Sequence, residues 1–108
     1  MPVTLSIHDG QLRLQISGSF TIFQAREYKT QLLNELAHPG ELLELDLSAV
    51  EEIDTAGLQL LLLMRREAAA HHKRMVCKSM SPVVENMIEM LQLQHIFPLT
   101  PSVRQEPV

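Results

Sequence analysis

The stretch LDLSAVEEIDTAGLQLLLLMRREA, residues 45–68, limits what this chain can fold into more than any other segment. A short apolar strand runs into an acidic turn, and the turn opens directly into a very apolar helix. Asp54 stands where a helix N-cap belongs. Its carboxylate can accept from the backbone N–H groups two and three residues later, and its charge suits the positive end of the helix dipole. Thr55 then takes the first helical position with its side chain free, and Ala56 and Gly57 follow as two small residues.

Stepping about 100° per residue around that helix sorts its side chains. Leu61, Met64, Ala68 and the stem of Arg65 fall on one side, predicted to face a sheet. Thr55, Gln59, Arg66 and Lys73 fall on the opposite side, predicted to face water. Leu63 lies between Gln59 and Ala56 on the wet side, with Leu62 at its other margin. Ala56, Leu62 and Leu63 therefore form either a modest exposed patch beside the Thr55 hydroxyl or a surface covered by a loop or a last strand. The hydroxyl itself has two readings. A phosphate there would gain from the helix N-terminus, yet Glu51, Glu52 and Asp54 would repel it. Modification would thus alter the surface charge more than it would stabilise the fold. Residue chemistry alone favours a threonine that is simply part of a first helical turn.

The flanking segments supply a fold. Residues 3–9 and 11–18 alternate apolar and polar around Asp9-Gly10, which reads as a hairpin. From Ile22 to Ala37 the period becomes helical, with Ile22, Ala25, Tyr28 or Lys29, Leu32, Leu33 and Leu36 as its stripe, Thr21 as a candidate cap and Pro39-Gly40 as its end. LLELDL gives a short buried strand, and the helix after Asp54 is predicted to reach about His72. RMVCK forms the next strand, and Ser81-Pro82 starts a helix with Val84, Met87, Ile88 and Leu91 inward. Met75, Met80, Met87 and Met90 are expected to fill the core. HIFPL is a candidate last strand. The expected class is α/β: one domain over residues 1–100, a small mixed sheet packed with three to four helices in the order β-β-α-β-α-β-α(-β), then a flexible tail over 101–108.

Bulk properties exclude several functions. A chain of 108 residues suits one core, burying roughly two-thirds of its unfolded surface. Its net charge is −4 and its nine Lys and Arg form no long basic run, which argues against nucleic acid and anionic membranes as partners. One cysteine, Cys77, makes no internal disulfide and reads as a small buried hydrophobe. No leader opens the chain and no apolar run approaches spanning length, so a cytoplasmic protein without membrane insertion is expected. His8, His38, His71, His72 and His95 lack metal-ligand spacing, and no phosphate loop or nucleophile elbow is present. No enzyme, metal or cofactor is therefore expected.

The central residues resemble a known family. Asp46-Leu47-Ser48, a spacer, and Asp54-Thr55-Ala56-Gly57-Leu58 are similar to the signature of the STAS domain, found in sulfate transporters and anti-sigma-factor antagonists. SPVVENMIEMLQL resembles the family's closing helix, and the likeness runs from Val3 to about Phe97. It implies a non-enzymatic partner-switching protein. Thr55 would be phosphorylated by a serine-kinase anti-sigma factor and restored by a PP2C-type phosphatase. The unphosphorylated form would bind the kinase-like partner through Glu51, Glu52, Asp54, Thr55, Ala56, Gln59, Leu62 and Leu63. The same family implies an alternative, a constitutive subunit of a lipid-asymmetry (Mla-type) ABC transporter. An exposed sheet edge or helix patch would also permit a homodimer. The chain differs from the common family pattern at Gly18-Ser19-Phe20-Thr21 after the second strand. It also ends its second helix on Ala70-His71-His72-Lys73, without the usual glycine, so His72 is expected to take the left-handed turn.

Overall fold

The computed structural model describes residues 3–8 and 11–97. In chain order the elements are β1 (Val3–His8), β2 (Gln11–Phe20), α1 (Ile22–Glu35), β3 (Leu42–Ile53), α2 (Thr55–Ala70), β4 (Arg74–Met80) and α3 (Pro82–Met90). The expected order β-β-α-β-α-β-α is therefore observed. The four strands form one sheet in the order β1-β2-β3-β4. β1 and β2 pair antiparallel, as the alternation around Asp9-Gly10 requires, although those two residues lie outside the described ones. β2–β3 and β3–β4 pair parallel, because a helix crosses over between each pair.

The period-two pattern decides what is inside. Leu12, Leu14 and Ile16 of β2 and Leu43, Leu45 and Leu47 of β3 are buried and share one core with Leu61, Met64 and Ala68 of α2 and Val84 and Ile88 of α3. The alternate positions stay polar. There Arg13 and Glu44, opposite each other in register, form an ion pair at 2.8 Å.

Several boundaries differ from the sequence expectation. β3 is not a six-residue strand followed by a turn: it continues to Ile53, so Glu51 and Glu52 are strand residues. β2 likewise runs on to Phe20, which is fully buried, and the two extensions pair with each other across register shifts between Gln15 and Ser17 and between Gly18 and Ser19. Each shift inserts an extra residue on β3, whose buried positions then step by three from Leu47 to Val50 to Ile53, so its alternation stops short of the strand's end. Gly18, at φ 75, takes a backbone conformation that a side chain would oppose.

α2 stops at Ala70 rather than His72. His72 adopts φ 60, as the missing glycine required, and the turn closes with Lys73 N–H donating to the Ala68 carbonyl at 2.8 Å. That tight turn carries Lys73 away from the wet side of the helix. It is buried, and its ammonium donates to the carbonyls of Gly40, at 2.7 Å, and His38. Arg65 is exposed instead of lying along the sheet. Met75, Met80 and Met87 pack against the core, but Met90 is 71% exposed on the outer side of α3. His95, Ile96 and Phe97 lie in a turn rather than a strand. Pro98 and Leu99 of the candidate last strand, and the tail expected over 101–108, are outside the described residues.

Candidate functional site

β3 delivers the junction. After Ile53 inserts into the core, Asp54 leaves the strand in extended geometry (φ −123, ψ −175) and caps α2, its Oδ1 accepting from the Gly57 N–H at 3.0 Å. Its second oxygen does something the sequence did not indicate. Oδ2 accepts from the Ile22 N–H at 3.0 Å, and Ile22 is the first residue of α1. One carboxylate therefore satisfies an orphan donor on each of two helices and brings their N-termini together. α1 has a local cap as well: the Gln24 side-chain oxygen accepts from the Thr21 N–H at 3.0 Å and the Thr21 hydroxyl at 2.7 Å.

Gly57 sets how close the two elements come. A Cβ built on it would stand 2.0 Å from the Phe20 carbonyl oxygen and 3.1 Å from the Phe20 ring. The first turn of α2 thus lies directly on the end of β2, and a side chain there would push them apart.

Thr55, the first residue of α2, is exposed, with Ala56 half-buried behind it. Glu51 and Glu52 are exposed on the strand before it, and Glu52 accepts from the Ser19 hydroxyl at 2.9 Å. Gln59 is exposed, whereas Leu62 and Leu63 are half-buried and pack against the core. Leu62 and Leu63 thus keep part of their surface open while the rest packs against the core. The eight residues singled out in sequence therefore run from the end of β3 over the first half of α2, and each is at least partly exposed.

Two further residues lie at this place. Helical spacing puts Ile22 in the buried stripe of α1 and gives Phe23 no role. The structure leaves Ile22 44% and Phe23 75% exposed, at the helix start that Asp54 holds beside Thr55. Two consecutive large apolar residues after a cap were the available signal, since one helix face cannot bury both.

Asp46, from the same motif segment, works on the structure. Its Oδ1 accepts from the Ser48 N–H and hydroxyl at 2.9 and 2.7 Å and from the Ser79 hydroxyl at 3.0 Å, joining β3 to β4 at a register shift. Burial would raise its carboxyl, but these hydrogen bonds and the Lys78 charge outweigh it and hold the group below its ordinary value. Cys77 is buried, and burial first, then the Asp46 charge, push its thiol up to about 12. It stays a protonated, inert side chain at neutral pH.

A four-stranded mixed sheet whose third strand carries Asp-Leu-Ser and runs on to a capped Asp-Thr-Ala-Gly-Leu helix start is the architecture of a STAS domain. Residues 3–101 match the family model described as "Mlab, STAS domain", and the chain belongs to this STAS family. Solved structures agree in fold. An anti-sigma factor antagonist from Mycobacterium paratuberculosis is 25% identical, with 92% of this chain and 84% of that one covered and a TM-score of 0.76. A Thermotoga maritima protein assigned as an anti-sigma factor antagonist is 23% identical, covering 98% and 93%, with a TM-score of 0.79. The Bacillus cell fate determinant SpoIIAA in its phosphorylated form is 12% identical, covering 94% of each chain, with a TM-score of 0.68. Among the described residues no helix is long and apolar enough to cross a membrane.

Proposed function

We propose that this protein is a non-enzymatic partner switch of the anti-sigma-factor-antagonist type, whose docking ridge is controlled by phosphate at Thr55. The observation that carries the reading is the exposed Thr55 hydroxyl at the first position of α2, directly after a carboxylate already committed to two backbone donors. Since Asp54 is engaged, a phosphate at Thr55 would leave the caps in place while adding charge to a surface that holds Glu51 and Glu52. A partner that tolerates the neutral hydroxyl would then meet a strongly anionic corner. Fold similarity to anti-sigma factor antagonists, one of them phosphorylated, supports the same reading.

In this account the unphosphorylated protein binds a serine-kinase anti-sigma factor in the cytoplasm, and a PP2C-type phosphatase resets it. Ala56, Gln59, Leu62 and Leu63 supply the contact surface behind Thr55, and Ile22 and Phe23 extend it across the start of α1. Phe23 is the residue best suited to anchor a partner, being a large rigid side chain that the fold does not bury.

A second reading has its own support, because the matching family model is described as MlaB. The protein would then be a constitutive subunit on the ATPase of a lipid-asymmetry ABC transporter, using the same ridge without phosphate. Incubation with ATP and the serine kinase encoded nearest to it, followed by mass spectrometry, separates the two. Stoichiometric phosphate on Thr55 supports the switch. Stable co-purification with an ABC ATPase, from protein that never accepts phosphate, supports the transporter subunit.

A further inference from the structure

Behind the Thr55 ridge, α2 and the outer edge of β4 enclose an open groove of about 1000 Å³. β4 pairs with β3 on one side, and among the described residues no strand lies along its other side. Leu62 and Leu63 from α2, Met75 and Val76 from β4, and Ile96 from the turn after α3 form its apolar lining. Arg65, Arg66 and Arg74 also line it, and all three are exposed.

The basic character is out of proportion to the protein. The net charge is −4, yet four of its nine Lys and Arg residues (these three and Lys73) line this one groove. Lys73 spends its ammonium on two backbone carbonyls, but the arginines are not so used. Among the described residues the arginine–carboxylate pair is Arg13 with Glu44, and Arg65, Arg66 and Arg74 form none within the fold.

From this combination we infer that the groove is a docking site for an acidic amphipathic segment of a protein partner, with apolar side chains on Leu62, Leu63, Met75 and Val76 and carboxylates on Arg65, Arg66 and Arg74. The fit is that of a helix laid in an apolar groove, with guanidinium groups donating to carboxylates two oxygens at a time. A polyanionic surface fits poorly. Glu51 and Glu52 are exposed on the strand that leads into α2, Arg66 being about 16 Å along α2 from Thr55, so an extended bilayer or nucleic acid spanning the arginines and the start of α2 would also meet carboxylates.

The ridge and groove share Gln59, Leu62 and Leu63 and so form one surface, acidic at the Thr55 end and basic at the other. A partner spanning it must be acidic over the groove and uncharged or basic over Thr55. The groove stands on its own observations, and only its coupling to phosphate rests on the proposed switch. In that coupling the groove supplies affinity that phosphate does not touch, while the Thr55 end decides whether the partner stays.

The probe is a helical peptide with leucines on one face and glutamates flanking them, titrated into the full isotope-labelled chain and followed by amide NMR. A twin carrying lysines in place of the glutamates and vesicles of phosphatidylglycerol are run beside it. The Glu peptide should shift the amides of Leu62, Leu63, Arg66, Met75 and Val76, and the Lys twin should not. Arg66→Glu and Arg74→Glu, both at exposed positions, should each weaken the Glu peptide about tenfold while leaving the spectrum of the free protein folded. Equal binding of the two peptides, shifts mapping elsewhere, no binding by the full chain, or binding to the vesicles alone would each overturn the proposal. Both variants keep Thr55. Phosphate acceptance without Glu-peptide binding therefore refutes the groove alone, and peptide binding without phosphate acceptance refutes the switch alone.

Discussion

Asp54 accepts a hydrogen bond from the Ile22 backbone N–H at 3.0 Å, which fastens the start of α1 to the residue immediately before Thr55. With its other oxygen on the Gly57 N–H, the same side chain begins both helices. Replacing it should therefore cost more than an ordinary cap. Asp54→Ala should lower stability to urea by about 1–2 kcal/mol, and Asp54→Asn, which keeps one acceptor oxygen, by less. A loss in the alanine variant no greater than in a Thr21→Ala control would mean that the bridge contributes nothing.

Gly57 is fixed by the approach of α2 to β2. Alanine favours a helix by about 1 kcal/mol over glycine. Here its Cβ would stand 2.0 Å from the Phe20 carbonyl oxygen. Overpacking should outweigh propensity, so Gly57→Ala should lose about 1–3 kcal/mol in denaturant melts. A gain would show that the contact can relax.

Phe23 separates docking from folding. At 75% exposure its truncation should leave the thermal midpoint of Phe23→Ser close to native. Its affinity for the kinase-like partner should fall by about 2 kcal/mol or more, read by calorimetry. An unstable variant, or one binding at full strength, would remove Phe23 from the docking surface.

Cys77 gives a pH dependence with a definite sign. Its thiol is raised from an ordinary 9.0 to about 12 by burial and by Asp46. The folded state thus holds the proton that the unfolded chain releases. The associated stability is complete below 9.0 and is lost as pH rises towards about 12. Cys77→Ala should flatten that alkaline limb. In the native protein the thiol should resist iodoacetamide at neutral pH and react only after denaturation. Rapid native alkylation would contradict its burial.

Much of this was legible in the chain because period-two and helical spacing survive wherever the elements are regular. Leu12, Leu14 and Ile16, the cap at Asp54 and the left-handed His72 all follow from local rules. The end of β3 is hidden because each of two register shifts against β2 inserts one extra β3 residue, between Asp46 and Ala49 and between Val50 and Glu52, so Glu51 and Glu52 read as a turn. Lys73 was misplaced because helical spacing was carried past Ala70, where the chain had already turned back. The Asp54–Ile22 bond spans thirty-two residues, and nothing in either local segment encodes it. Phe23 was overlooked for the same reason: its exposure depends on where α1 sits, which that bond helps to set.

The central claim is that charge at Thr55 controls docking, and one affinity comparison tests it most directly. The kinase-like partner should be titrated with the native protein and with protein stoichiometrically phosphorylated at Thr55, under identical salt. The account predicts that phosphate weakens binding by at least about tenfold, on the order of 1.4 kcal/mol, without changing the thermal midpoint appreciably. Equal affinity of the two forms would contradict it.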